Sequence, residues 1–227
     1  MNVKVQVLRK VSVFASLGEA HLKEIAGITN VKTYRKNEVV FHQGDPGSLL
    51  FILKSGVAKI SMIDANNKEY ILKTVYENDF FGEMSLLDGH FRSATVTAVK
   101  DIEALMLFRE DFTRLIRKNP AVVLDMVAVM SRRLRKADES IASLTFFDAY
   151  GKVSRLLLDL AAREGEPKGD RIVLTPVLSR QEMANMAGLS RETFTRVLTE
   201  FEVGGRIQVE KKKIVILDIF ALKKEVI

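Results

Sequence analysis

The chain has 227 residues, of which 35 are Lys or Arg, 29 are Asp or Glu, three are His and none is Cys. This length suits one large or two small domains, and 47% hydrophobic with 28% charged residues is typical of a folded globular protein. The absence of cysteine excludes disulfides, iron–sulfur clusters, thiolate zinc sites and cysteine nucleophiles, and it favours a reducing cytoplasm. The net charge of +6 is compatible with nucleic-acid binding but does not establish it.

No stretch of the sequence resembles a membrane span or an export signal. The longest nearly apolar run, residues 121–130, is interrupted by Asp125 and reaches only half of the ~20 residues that a spanning helix needs. The apolar stretch from Val11 to Leu17 is too short for a signal peptide and has no cleavage pattern. We therefore expect a cytoplasmic protein without a membrane partner.

The first part of the chain has the pattern of an antiparallel β domain. Between Val31 and Phe108, short β-rich runs alternate with turn signals such as Ser55-Gly56 and Asp88-Gly89, and a short helical stretch from Gly18 to Ile28 precedes them. Many short strands at this spacing predict a sandwich or barrel of the jelly-roll kind. We assign residues 1–118 to this β-roll.

Residues 119–147 have the pattern of one long helix. Pro120 stands at its first turn, and some 25 residues follow without Gly or Pro. Apolar side chains recur alternately every four and three residues, at Val123, Val127, Met130, Leu134, Ala137, Ile141 and Leu144. This heptad seam predicts a parallel two-stranded coiled coil and hence a homodimer. The alternative is that the stripe packs against its own domain.

Residues 148–227 have the pattern of a smaller helical domain with a terminal hairpin. We predict a helix from about Ala149 to Arg163, followed by a polar loop at 164–170. A second helix starts with a capping box of Ser179 and Glu182, and after a turn at Gly188 a third helix runs from Ser190 to about Glu202. Strands at 206–209 and 214–217 follow, around the turn formed by Lys211, Lys212 and Lys213. Two helices joined by a short turn with Gly are a helix-turn-helix.

The second helix of this motif has the chemistry to bind DNA. Its apolar side chains, with those of the helix before it, supply a shared core, so that Arg191, Glu192, Thr195 and Arg196 lie on the free face. Arg can donate two hydrogen bonds to guanine, and Glu can accept one from cytosine. Three lysines in a tight turn can contact phosphates, and we place Ser179, Arg180 and Ser190 at the same interface. The alternative is a helix face and a lysine turn that are merely solvated.

The run LSRQEMANMAGLSRETFTRVLTEFE resembles the helix-turn-helix of the cyclic AMP receptor protein/FNR family of bacterial transcription regulators. The resemblance covers nearly the whole chain. It implies an α+β protein with an N-terminal antiparallel β-roll, a long dimerisation helix and a C-terminal winged helix-turn-helix. It also implies that Arg191, Glu192 and Arg196 contact bases, that the half-site resembles TGTGA, and that RNA polymerase is a further partner. Without cysteines, the chain cannot be an oxygen sensor of the family's iron–sulfur kind.

A second cluster, residues 81–96, has the chemistry for a small anion. Gly82 allows a ligand to approach the backbone closely, and a short helix over Met84 to Leu87 offers its first backbone amides to an anion. Arg92 adds a positive charge and Ser93 a hydroxyl. Glu83 can accept a hydrogen bond from a sugar hydroxyl. These groups suit a cyclic phosphodiester with a free ribose hydroxyl. The alternative is a surface turn with an ion pair between Arg92 and Glu83.

The same cluster resembles the phosphate-binding cassette of cyclic-nucleotide-binding domains, FGE(L/M)xLL…R(S/T/A)A. The resemblance implies that Glu83 binds the ribose and that Arg92 and Ser93 bind the phosphate, within a site that also includes Gly82, Met84 and Ser85. It brings Ala137 and Asp138 to the base, where Ala137 cannot form a hydrogen bond and Asp138 could accept from an exocyclic amine. Cyclic AMP is the expected effector. A regulator that responds to another ligand, or to none, is the alternative.

The three histidines, His21, His42 and His90, are far apart in the sequence and have no metal-ligand spacing. A metal-dependent, cupin-like enzyme on the same β-roll would need histidine and carboxylate ligands that converge. We therefore predict no metal site, no catalytic residue and no enzyme activity.

Overall fold

The computed structural model describes residues 2–226. The chain forms two compact units, residues 1–135 and 136–227. The helices are α1 (Val3–Lys10), α2 (Glu19–Ile28), α3 (Glu83–Asp88), α4 (Arg109–Lys118), α5 (Ala121–Phe146), α6 (Ala149–Glu164), α7 (Arg180–Ala187), α8 (Arg191–Val203) and α9 (Ile219–Lys224). The strands are β1 (Asn30–Tyr34), β2 (Val39–Phe41), β3 (Leu49–Ser55), β4 (Ala58–Ile63), β5 (Glu69–Val75), β6 (Phe80–Phe81), β7 (Thr95–Ala98), β8 (Ile102–Phe108), β9 (Glu166–Lys168), β10 (Arg171–Leu174), β11 (Ile207–Glu210) and β12 (Lys213–Ile216).

The first unit is built on two antiparallel four-stranded sheets, with strand orders β1-β8-β3-β6 and β2-β7-β4-β5. In the first sheet Phe51 of β3 lies opposite Met106 of β8 on one side and Phe81 of β6 on the other. Buried apolar side chains of both sheets form one cluster, in which the rings of Phe51 and Phe81 stack 5.2 Å apart. The predicted antiparallel β-roll is confirmed.

Two helices of this unit are absent from the prediction. The sequence of α1, VKVQVLRK, alternates apolar and polar residues as a strand does, yet Val5, Val7 and Leu8 are buried against α2 and the sheet as a helix. In α4, Phe112 and Leu115 are buried in the same cluster. The short strand β6 was not predicted either, because two residues are too few for a periodic signal.

The long helix is confirmed as α5, with 26 residues. Val122, Met126 and Val129 are buried in the core of the first unit. The predicted heptad seam lies beside this buried stripe, and most of its side chains are exposed, with Leu134 at 64% and Ile141 at 62%. The alternative that the seam packs on its own domain is therefore wrong except at the half-buried Met130.

The second unit carries the predicted helix-turn-helix. Its capping box is present, because Glu182 N donates to Ser179 Oγ at 3.2 Å and Ser179 N donates to Glu182 Oε2 at 2.9 Å. Gly188 ends α7 in the left-handed conformation, at φ +67°, which glycine adopts without strain. Ser190 caps α8 by accepting from Thr193 N at 3.1 Å.

Three elements of the second unit, β9, β10 and α9, are absent from the prediction. The segment 164–170, predicted as a polar loop, contains the strand β9, which pairs with β10 at the edge of a sheet of order β11-β12-β10-β9. Pro167 lies within β9, and its missing N–H is tolerated there because an edge strand leaves one side unpaired. Within the described residues, no helix is long and apolar enough to cross a membrane.

The turn between β3 and β4 provides a test of the fold. Gly56 has φ +89°, and a Cβ atom there would lie 2.1 Å from the backbone oxygen of Asp101. We expect Gly56→Ala to lower the free energy of unfolding by about 3 kcal/mol or more, since it adds a clash with backbone to the strain of a positive φ. Gly44→Ala is the matched control, because Gly44 has φ +86° and open space around it, and it should cost about 1–2 kcal/mol. Equal losses in urea unfolding would contradict the clash.

Candidate effector site and nucleic-acid interface

Arg92 lies inside the β-roll and is only 5% exposed. Its Nη1 donates to Gly82 O at 2.8 Å and to Ser85 Oγ at 2.9 Å, and its Nη2 donates to Leu49 O at 3.0 Å. The guanidinium carbon lies 4.2 Å from the ring centre of Phe41. These contacts fix the guanidinium between β2, β3 and the start of α3.

The charge of Arg92 is not neutralised by an ion pair within residues 2–226. Burial lowers the pKa of the Arg92 guanidinium, and the carboxylates of Glu83 and Asp45 oppose this shift from a distance. Three of its five N–H donors are engaged, and the buried Nε has no hydrogen-bond partner. A desolvated cation with spare donors is a binding group for an anion.

Two glycines leave space around this guanidinium. Gly82 has φ +79°, and a Cβ atom there would lie 2.8 Å from Arg92 Nη1. A Cβ atom on Gly47 would lie 2.6 Å from Arg92 Nε and 2.5 Å from Ser85 Oγ. Gly82 was predicted as a site residue from the sequence, whereas Gly47 was not, because it lies far before the predicted cluster in the sequence.

Glu83 is 6% exposed and pairs with Arg133 of α5, with 2.6 Å between its Oε1 and Arg133 Nη1. Arg133 Nη2 also donates to Phe80 O at 2.7 Å, and its guanidinium covers the ring of Phe80. Glu83 and Arg92 are both buried, so the alternative of a surface turn with an ion pair between them is wrong. Arg133 is a site residue that the sequence analysis missed, because nothing local links it to a glutamate 50 residues earlier.

The remaining predicted effector residues occupy different surroundings. Ser85 is buried on Arg92, whereas Met84 and Ser93 are exposed and contact each other, with 3.5 Å between Ser93 Oγ and Met84 Sδ. Ala137 and Asp138 are exposed on α5 and belong to the second unit.

In the second unit, the predicted recognition helix presents one polar face. Phe194, Val197, Leu198 and Phe201 are buried, and Arg191, Glu192, Thr195 and Arg196 are exposed. Thr195 Oγ1 donates to Arg191 O at 2.8 Å, and Arg196 Nη1 lies 3.3 Å from Glu200 Oε1. The side chains assigned to base edges therefore share one accessible surface.

The other residues of the predicted DNA interface surround this helix. Ser179 and Ser190 are engaged as helix caps, and Lys211, Lys212 and Lys213 are exposed at the turn before β12 and at its first residue. Arg180 is half-buried, and burial lowers the pKa of its guanidinium against the opposing effect of Glu202. Within residues 2–226, no group of three or more carboxylate or imidazole side chains could hold a metal ion.

The chain matches two family models, the cyclic nucleotide-binding domain over residues 31–119 and the Crp-like helix-turn-helix domain over residues 151–225. It is 39% identical to the cyclic AMP receptor protein of Thermus thermophilus, covering 74% of each chain. It is 32% identical to the cAMP-activated global transcriptional regulator CRP of Escherichia coli, covering 82% of this chain and 89% of that one.

A solved structure of similar fold is the c-di-GMP responsive global regulator CLP of Xanthomonas campestris, with a TM-score of 0.77 and 24% identity over 88% of this chain and 99% of that one. The two domain models cover the β-roll and the helix-turn-helix in the predicted order, and the curated relatives named above span most of the chain. The chain therefore belongs to the CRP/FNR family of DNA-binding transcription regulators.

Proposed function

We propose that the chain is a homodimeric regulator of the bacterial cytoplasm whose binding to DNA depends on a cyclic nucleotide, with cyclic AMP as the first candidate. The observation that carries the effector part is the buried guanidinium of Arg92, which has no ion pair within the described residues and keeps N–H donors free. Two relatives at 39% and 32% identity are named for cyclic AMP. The neighbour from Xanthomonas campestris is described as responsive to c-di-GMP, so other cyclic nucleotides belong in the test.

A cyclic phosphodiester matches the groups around Arg92. It carries one negative charge, which Arg92 neutralises. The hydroxyl of Ser93 donates a hydrogen bond to the phosphate, and Gly82 lets the backbone come close to it. Glu83 accepts the ribose hydroxyl, since its ion pair with Arg133 engages Oε1 and leaves Oε2 as an acceptor. Met84 and Ser85, in the first turn of α3, complete the phosphate side of the site.

On the base side we assign Ala137 and Asp138 of α5. Asp138 accepts a hydrogen bond from an exocyclic amine of the base, and Ala137 supplies only an apolar contact. An acceptor without a donor favours bases that present N–H groups at that edge.

A second copy of the chain covers the exposed seam of α5. The seam repeats every 3.5 residues, and Val127 and Ile141 are β-branched at a positions, which favours two parallel strands. Large apolar side chains at Val127, Leu134 and Ile141 would otherwise remain in water.

Dimerisation positions two recognition helices so that both bind one palindromic site. We propose that Arg191, Glu192 and Arg196 read base edges of a TGTGA-like half-site, with Thr195 beside them. Ser179, Arg180, Ser190 and the lysines 211–213 bind the phosphates, which adds affinity but no sequence information. The half-sites then lie one helical turn, ~34 Å, apart, and RNA polymerase is the further partner.

The effector site is tested by replacing Arg92. Arg92→Gln should weaken binding of the cyclic nucleotide about 10-fold or more, because the variant loses charge-assisted hydrogen bonds to the phosphate. Calorimetric titration with cyclic AMP, cyclic GMP and c-di-GMP measures the affinity, and a thermal melt checks that the variant is folded. Arg114→Gln, which removes an exposed charge of the same unit, is the control. Wild-type protein that binds none of the three nucleotides, or folded Arg92→Gln that binds as the wild type does, would refute this site.

The dimer is tested on the seam of α5. Leu134→Asp should convert the dimer to a monomer in sedimentation experiments, because it places two carboxylates in the apolar seam. Ala128→Asp adds the same charge to an exposed position on the same helix, away from the seam, and should leave the dimer intact. A monomeric wild-type protein at micromolar concentration would sink the proposal.

Base readout is tested by fluorescence anisotropy on duplex DNA with the effector present. Arg191→Ala should cost about 1–3 kcal/mol on the palindromic site and little on random DNA, since only the specific site offers the base edge. Lys212→Ala should weaken both complexes alike, because phosphates are present in every sequence. An equal loss on both duplexes for Arg191→Ala would remove it from base readout.

A further inference from the structure

A chain of three polar side chains links α6 to the recognition helix α8 in the second unit. The hydroxyl of Tyr150, in the first turn of α6, donates to Glu200 Oε2. The other oxygen of Glu200, Oε1, lies 3.3 Å from Arg196 Nη1, one helical turn earlier on α8. Each carboxylate oxygen thus has its own partner, and the sequence separates Tyr150 from Glu200 by 50 residues.

Tyr150 is held in a fixed position by its surroundings. Its ring packs against that of Phe201, with 6.0 Å between ring centres and an interplanar angle of 50°, and Phe201 is buried in the unit. The start of α6 is fixed as well, since Asp148 accepts from Gly151 N at 2.9 Å. A Cβ atom on Gly151 would lie 2.8 Å from the backbone oxygen of Glu225, so the helix end is in close contact with the chain after α9.

The tyrosine changes what the pair of Glu200 and Arg196 can do. An exposed pair four residues apart on a helix is mobile and contributes little by itself. Here the hydrogen bond from Tyr150 anchors the carboxylate to a second helix. The same bond raises the pKa of Tyr150 above its ordinary value, which already leaves the phenol a donor at neutral pH.

We propose that Tyr150 and Glu200 are positioning residues that hold the guanidinium of Arg196 in one direction on the recognition face, so that it meets one base step of the DNA site. This inference rests on the assignment of Arg196 to a base edge in the proposed function. An anchored guanidinium discriminates between bases, whereas a released one also reaches neighbouring bases and phosphates. The hydrogen bonds of Tyr150 and Glu200 therefore affect discrimination between DNA sequences more than total affinity for DNA.

The test uses the full-length protein with its effector and the duplex that the wild type enriches from a randomised pool of palindromes. Affinities are measured for this duplex, for duplexes with each base pair of the half-site changed singly, and for random DNA. Tyr150→Phe keeps the ring on Phe201 and removes only the hydroxyl. It should lower discrimination at one base pair about 3- to 10-fold, the range that one hydrogen bond provides, with affinity for random DNA unchanged. Thr199→Ala, which removes an exposed hydroxyl on α8 itself, should have no such effect.

A double-mutant cycle separates positioning from a purely structural role. Arg196→Ala should lower discrimination at the same base pair, and Tyr150→Phe should then add no further loss. An unchanged profile for Tyr150→Phe, or an equal loss with and without Arg196, would overturn the inference and leave the proposed function intact. If Arg196→Ala itself leaves discrimination unchanged, the assignment of Arg196 fails and the inference with it.

Discussion

The buried guanidinium of Arg92 is the interaction on which the β-roll depends. It binds a carbonyl of β3, the carbonyl of Gly82 just before α3 and the hydroxyl of Ser85, while its flat face covers Phe41. Without it, the carbonyls of Leu49 and Gly82 would lose these donors, and unpaired buried groups are costly. The same residue thus holds three elements together and keeps a desolvated positive charge that no carboxylate of the described residues pairs with. Such a desolvated charge suits the proposed binding of an anion.

Patterns of local origin could be predicted from the sequence. The strands from β2 to β5 and the strands β7 and β8 follow from β-rich runs between turn residues, and the capping box marks the start of α7. Prediction failed where burial or strand pairing overrides local preference. The valines of α1 alternate as in a strand, and Pro167 argues against the strand β9 that contains it. In both segments the final structure depends on which neighbours the rest of the fold supplies.

The residues of the candidate sites also fall into two groups, those that could be predicted from the sequence and those that only the structure reveals. Gly82, Glu83 and Arg92 are close in the sequence, so their shared chemistry could be seen before the structure was known. Arg133 joins Glu83, and Tyr150 joins Glu200, only because distant elements pack together. Charge counting could not find these pairs either, since each combines ordinary surface residue types. The structure adds partners, and those partners decide which side chains are free to bind and which are held.

The helix α5 carries two apolar stripes with different surroundings. Val122, Met126 and Val129 are buried in the first unit, whereas the stripe shifted by one residue, which includes Val127 and Leu134, is exposed and is the proposed dimer seam. Arg133 continues the buried stripe, one turn after Val129, and pairs with Glu83, the proposed ribose ligand. A hydroxyl that binds Glu83 must share its carboxylate with Arg133, the neighbour of Leu134 on the seam. The proposed effector site and the proposed dimer seam therefore meet at two adjacent residues of α5, Arg133 and Leu134.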